Sequence, residues 1–278
     1  MRTKTKYLLA IVIFIILGST IFKSITPNKI DKEIYFLNTS AYVSGYIGDE
    51  INIPLTFFYD AKKPTDKIIS NVQLLSGNFV SLKGWEVKDG SKFKGYQLNN
   101  ISINLKIEKE GKNELEGIKI LLYDGGEKIY KFDKFIMLGI NKPKSDNYLN
   151  VASEETYLSQ NDRTSFDVKN NSDKTIVLDD FGLVSDNAKI KQFKLQMNDN
   201  IFDKIKDVNV LPSNIFKITI ETDPGDNSDI YFIKPYIDYR IDGKKFTDCI
   251  TFGTIHGIPI ADEKLLNIYN RLIKNKNY

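Results

Sequence analysis

Three stretches of this chain alternate strictly between apolar and polar residues. Ile51, Ile53, Leu55 and Phe57 are interleaved with Glu50, Asn52, Pro54 and Thr56. Ile101, Ile103, Leu105 and Ile107 are interleaved with Ser102, Asn104, Lys106 and Glu108. Phe216, Ile218 and Ile220 are interleaved with Lys217, Thr219 and Glu221. Successive side chains of an extended chain point to opposite faces, so a period of two gathers the apolar residues on one side. The pattern predicts half-buried antiparallel strands and excludes a helical bundle, whose apolar residues recur every three or four positions. Pro54 has no N–H to give to a ladder, which places its strand at an edge or a bulge.

The strand signals come in two similar sets. Phe57 and Tyr59, Asp66-Lys67, Leu74-Leu75 and Ser76-Gly77-Asn78 recur in the same order as Phe166 and Val168, Asp173-Lys174, Leu183-Val184 and Ser185-Asp186-Asn187. The segment from Tyr123 to Tyr130 parallels that from Tyr239 to Phe246, and each reads as strand, Gly-containing turn, strand. A repeat of roughly 110 residues matches an immunoglobulin-like sandwich in size, and is long enough to bury a core without disulfides. "Immunoglobulin-like" describes layers here, because Trp85 is the only Trp and Cys249 the only Cys. The expected fold is all-β, with two tandem Ig-like antiparallel β-sandwich domains at residues 34–143 and 144–257. The polar, Pro-containing stretch at residues 141–147 marks the boundary.

Both ends depart from the β pattern. Arg2, Lys4 and Lys6 precede an uncharged run from Tyr7 to Phe22, closed by Lys23. A basic flank (1–6) before an apolar segment (7–26) predicts a signal anchor or a signal peptide, with a stalk over 27–33. The basic flank stays inside, so the remainder is expected outside the cytoplasm, either tethered to the cell membrane by a single pass or secreted after cleavage. After Pro259, Leu265, Ile268, Tyr269, Leu272 and Ile273 recur at helical spacing, with Asp262 and Glu263 at the start and Arg271 and Lys274 at the end. This predicts a short C-terminal amphipathic helix within 258–278. It is expected to pack on the second sandwich or to cap a sheet edge.

Charge narrows the partners. The chain carries +3, but residues 1–33 hold six bases and two acids, which leaves 33 bases against 34 acids. A folded part that is nearly neutral lacks the concentrated basic patch of a nucleic-acid binder. A lone Cys249 makes no internal disulfide.

Chemistry is sparse. His256 is the only histidine, so a Ser-His-Asp triad would have to use it; its plainer reading is a hydrogen-bonded turn residue. One His and one Cys do not make a zinc site. Asp223, Asp226, Asn227 and Asp229 gather hard oxygen ligands in one loop and form a candidate Ca²⁺ site, though acidic Gly- and Pro-containing loops are more often plain turns. Trp85 and Tyr96 are candidate ligand-binding aromatics for a sugar face, set against a packing role. No catalytic residues and no other cofactor are assigned. The expected function is a non-catalytic protein-binding or assembly module whose partner is an envelope or surface protein. A cell-wall or carbohydrate-binding module and a carboxylate-dependent hydrolase are the alternatives.

Overall fold

The computed structural model describes residues 34–60, 68–75, 78–142, 148–151, 157–159, 163–185, 188–223, 228–249, 253–257 and 262–274. The expected leader and stalk, and most of the expected domain boundary, lie outside the described residues. Among those described, no helix is long and apolar enough to cross a membrane.

The first half contains β1 (Tyr35–Phe36), β2 (Thr39–Tyr46), β3 (Glu50–Asp60), β4 (Ile69–Leu74), β5 (Val80–Lys88), β6 (Lys92–Phe93), β7 (Tyr96–Ile107), β8 (Gly111–Glu114), β9 (Gly117–Leu122), β10 (Glu127–Lys131) and β11 (Phe135–Ile140). The second half contains β12 (Leu149–Val151), β13 (Tyr157–Ser159), β14 (Arg163–Asn170), β15 (Ile176–Gly182), β16 (Lys189–Met197), β17 (Asn200–Phe202), β18 (Val208–Val210), β19 (Ile215–Asp223), β20 (Ile230–Lys234), β21 (Tyr236–Ile241), β22 (Lys244–Cys249), β23 (Thr254–His256) and the helix α1 (Asp262–Leu272).

In the first half a sheet ordered β1-β3-β7-β5 faces a sheet ordered β10-β9-β4. The alternating residues are what they close on: Ile53 pairs with Ile103 and Leu55 with Ile101, and all four are fully buried. Pro54 sits in β3, which β1 flanks only at Phe57 and Phe58, so among the described residues no strand beside Pro54 on that side needs its missing N–H. In the second half β12-β14-β19-β16-β17 faces β18-β15-β21-β22 around a separate core that includes Phe166, Leu178, Leu195, Ile218 and Tyr239. Both expected hairpins form, β9 with β10 and β21 with β22.

A fifth sheet, ordered β13-β23-β20-β2-β11-β8, takes strands from both halves. All eight residues of β2 are buried. On one side it runs parallel to β11 (Ala41 with Phe135), on the other parallel to β20 (Thr39 with Ile230), and β13 is parallel to β23. The expectation of antiparallel pairing throughout therefore fails in this sheet. Antiparallel neighbours follow from short hairpins, whereas β2 and β20 are joined through most of the chain and are free to run the same way. Ala41 and Val43 of β2 face the first core, while Tyr42 packs with Ile136, Val184 and Ala188. A strand buried on both faces is what parallel pairing requires. At Pro235 the chain leaves this sheet and enters the second sandwich as β21. The Ser44 hydroxyl meets both carbonyls of the bend, 3.0 Å from Lys234 O and 2.7 Å from Pro235 O.

The helix also departs from expectation. It packs on the first half, not the second. Leu265, Ile268 and Ile273 join Tyr35, Leu37, Phe58 and Ile230 in one apolar cluster, with Tyr269 edge-on to Phe58, Phe93 and Tyr96. The reason lies in β3. Phe57, Phe58 and Tyr59 are consecutive and all buried, Phe57 and Tyr59 in the first core and Phe58 beneath the helix. Arg271 fixes the helix by pairing with the Asp229 carboxylate, which also accepts the Asn38 N–H at 2.8 Å.

Candidate interaction site

One buried carboxyl ties the two halves together. Asp248, 3% exposed, accepts hydrogen bonds from the Tyr46 hydroxyl of β2 (2.7 Å) and the Tyr239 hydroxyl of β21 (2.8 Å). Burial raises the Asp248 carboxyl above its ordinary range despite those donors, and the same burial with the adjacent Asp248 charge raises both phenols. Burial pushes the Cys249 thiol up to about 12, which leaves it a poor nucleophile. Burial holds the Lys234 amine below its usual value. His256 is fully buried on β23 rather than in a turn; its ring stacks on Tyr231 with centroids 4.8 Å apart, and Nε2 lies 3.4 Å from the Thr164 hydroxyl.

The residues singled out in the sequence do not converge. Trp85 pairs with Ile103 on the face of the first sheet that meets the first core, and is half-buried there. Tyr96 lies on the opposite face of the same sheet, edge-on to Tyr35, Phe58 and Tyr269 under the helix. They form no common platform for a sugar ring. Asp223 ends β19 and lies 3.5 Å from the Lys191 ammonium. Asp229 is taken up by Asn38 and Arg271, and Asp226 and Asn227 lie outside the described residues.

A concave surface that the sequence reading missed lies at the far edge of the second half, around the β16–β17 ribbon. A register shift between Ile190 and Gln192 bulges β16 where it pairs with β19. The ribbon then turns through two residues, Asn198 and Asp199, with Asn198 in the left-handed region (φ 53°) that Asn tolerates better than most residues. Cross-strand partners share a face, so Leu195 with Phe202 and Met197 with Asn200 point inward, while Gln196 with Ile201 point outward. Ile201 is accordingly 59% exposed.

Two hollows adjoin this strand. One, of about 460 Å³, lies over the outer face and is lined by Arg163, Lys191, Lys194, Ile201, Asp203 and Glu221, with Phe193 and Phe202 among its apolar wall. The other, of about 500 Å³, opens between β17 and β18 and is lined by Met197, Phe202 and Val208 with Lys204, Lys206 and Asp207 at its rim. Beyond Phe202 the chain crosses between the two sheets. Arg240 anchors that crossing by gripping Asp179 through Nε and Nη2 (2.6–2.9 Å) and reaching Asp207. Ile201 thus stands exposed on the outer face, in a hollow whose wall is otherwise mostly charged and polar. Its sequence signal was an Ile at an outward position directly after a turn.

No protein-family model matches this sequence, and no curated protein does. Solved structures give remote similarity. A Porphyromonas gingivalis protein of unknown function aligns with 80% of this chain and 98% of its own, at 9% identity and TM-score 0.24. The fibronectin(III)-like modules of Clostridium thermocellum CbhA align with 82% of this chain and 97% of theirs, at 10% identity and TM-score 0.21. Cadherin-like domains 1 to 4 of zebrafish RET align with 81% of this chain and 51% of theirs, at 8% identity and TM-score 0.27. Similarity at these values carries no functional information.

Proposed function

We propose that the chain is a non-catalytic protein-binding or assembly module. In this reading the apolar run near its start holds it at the cell membrane with residues 34–278 outside the cytoplasm, or exports it, and the folded part is a pair of Ig-like sandwiches fused through a shared sheet. The partner is an envelope or surface protein that docks at the β16–β17 ribbon. The observation that carries the reading is Ile201, exposed on an edge strand and flanked by two charged hollows. The basic and apolar runs of residues 2–22 support the compartment.

A photo-crosslinking residue placed at Ile201 in the full chain, in native cells, tests this. The reference position is Ile129, equally exposed but on the first half. A defined adduct from position 201, absent from position 129 and lost with Lys194→Glu, is expected. No adduct, or the same adducts from both positions, overturns the reading.

A further inference from the structure

Resting on that reading for the source of the load, we infer that the fifth sheet is a mechanical clamp. It holds under tension applied between the start of the folded part and the second half.

Topology supplies the first reason. The chain enters the folded part at Ile34, makes β1 and feeds the N-terminal end of β2. It leaves the first half at the C-terminal end of β11, past Ile140. β2 and β11 lie side by side and parallel, residues 41–46 facing 135–140. Tension between a membrane tether and a partner on the second half therefore pulls β2 by its N-terminal end and β11 by its C-terminal end. Parallel neighbours pulled from opposite ends are made to slide along each other. The evenly spaced bonds of a parallel ladder run across that direction and share the load, so they yield together. β20 flanks the other side of β2, is also parallel to it, and passes at Pro235 into the second half. Among the described strand pairs, parallel ones occur only in this sheet.

The two ends of β2 supply the second. Where tension enters, further bonds add to the ladder. The Asn38 N–H is held by the Asp229 carboxylate at 2.8 Å, and the Asn38 carbonyl accepts the N–H groups of Asp229 (2.8 Å) and Ile230 (3.1 Å). The Tyr130 hydroxyl donates to Leu37 O at 2.7 Å and accepts the Thr39 N–H at 3.0 Å. Asp229 is itself gripped by Arg271 of α1. Where tension leaves, the Tyr46 hydroxyl reaches Asp248 in β22, and the Ser44 hydroxyl meets the carbonyls of Lys234 and Pro235.

Burial supplies the third. A stretched hydrogen bond gives way easily when water stands ready to replace it. All eight residues of β2 are buried, so its bonds are kept from that exchange.

The test pulls the same protein in two directions. DNA handles are attached through azide-bearing residues in the full chain, held in lipid nanodiscs. One pair, at Lys29 and Lys142, loads β2 and β11 from opposite ends. The other pair is at Ile47 and Lys142. The Ile47 N–H bonds the Ile140 carbonyl at 2.9 Å, so this pair opens the ladder from one end, a bond at a time. At equal loading rate in optical tweezers, the first pair is expected to yield at roughly twofold higher force or more, in one step that frees residues 34–140 and lengthens the chain by about 350 Å. Equal forces in the two directions, or gradual lengthening at low force from the first pair, overturn the clamp. Neither pair of handles touches β17, so the two readings fail separately. Equal forces with a surviving adduct from position 201 would remove the clamp and leave the docking surface. A strong first pair with no adduct would uphold the clamp and remove the docking surface.

Discussion

The two halves of this protein repeat one strand order and differ in what covers it. β1-β3-β7-β5 opposes β10-β9-β4 in the first half, and β12-β14-β19-β16 opposes β22-β21-β15 in the second. The repeated segment Phe57-Phe58-Tyr59 corresponds to Phe166-Asp167-Val168. The outer residues of each triplet enter their own cores. The middle one decides the layer count: Phe58 is fully buried under α1, while Asp167 is exposed. Along the same outer face the first half has Tyr96 and Leu98, packed against the helix, where the second has Ile215 and Lys217, both exposed. In one half a third layer, the helix, covers that face. In the other, no element among the described residues covers it, and hollows lie at its edge. The outward positions thus distinguish two halves of similar strand order.

The largest expected effect comes from that middle position. Phe58→Ala should cost about 3–5 kcal/mol of unfolding free energy, as deletion of a large buried aromatic does. Asp167→Ala should stay within about 0.5 kcal/mol, as for an exposed site away from special features. Urea unfolding of the two variants measures both. Equal costs would mean that the halves are not covered differently.

The helix clamp ranks next. Asp229 is 7% exposed and keeps the Asn38 N–H as its other partner, so Arg271→Ala leaves a buried carboxylate short of its cation. The Arg271 side chain is 43% exposed, and solvent screening holds the expected loss to about 1–2 kcal/mol. Amide exchange should quicken in α1 and β1 and stay unchanged in β14 and β19. Equal acceleration in both halves would show that the helix stabilises the molecule as a whole.

The shared sheet sharpens the comparison in another way, because it makes the halves depend on each other. Lys234 sits in β20 between them, 8% exposed, with no ion pair among the described residues. Its folded pKa is depressed by burial, so the unfolded chain holds the proton more tightly. Stability from this residue is therefore lowest below the folded value and recovers as pH rises toward the unfolded lysine pKa of about 10.4. Lys234→Met should raise stability by about 1 kcal/mol or more near neutral pH, with the advantage shrinking as pH climbs toward 10. Chemical denaturation of both proteins across that range checks the sign. A loss of stability in the variant would mean that the ammonium is well satisfied where it lies.

The strands, both hairpins and the helix were legible in the sequence because each rests on a local period or turn. The partners of those elements were not. β2 reads Thr-Ser-Ala-Tyr-Val-Ser-Gly-Tyr, with no alternation of apolar and polar, yet it is buried from end to end. Its small and hydroxyl-bearing residues suit a strand hemmed in on every side, where Ser44 donates to the carbonyls of Lys234 and Pro235. The unbroken apolar run Ile230 to Ile233 and the consecutive Phe57-Phe58-Tyr59 both signalled burial on two faces. Period-two reasoning looks for one buried face and passes over them. The candidate site was least legible of all. Trp85 and Tyr96 stand out by residue type but lie on opposite faces of one sheet, and the hollows at β17 need a bulge, a turn and a crossing that converge only in three dimensions.

The smallest stability effect belongs to the residue at the proposed docking surface. Ile201 is mostly in water, so Ile201→Asp should change unfolding free energy by no more than about 0.5 kcal/mol. The same substitution replaces the apolar side chain of the outer hollow by a carboxylate, which a partner docking on that face would have to desolvate. Partner retention should therefore fall at least tenfold while the melting curve stays where it was. The corresponding change in the first half, Phe58→Asp, must behave in the opposite way, unfolding the protein before any question of binding arises, because there the chain has already supplied its own occupant in α1. If Ile201→Asp instead lowered stability as a core substitution does, β17 would already be covered, and the division between a closed half and an open one would collapse.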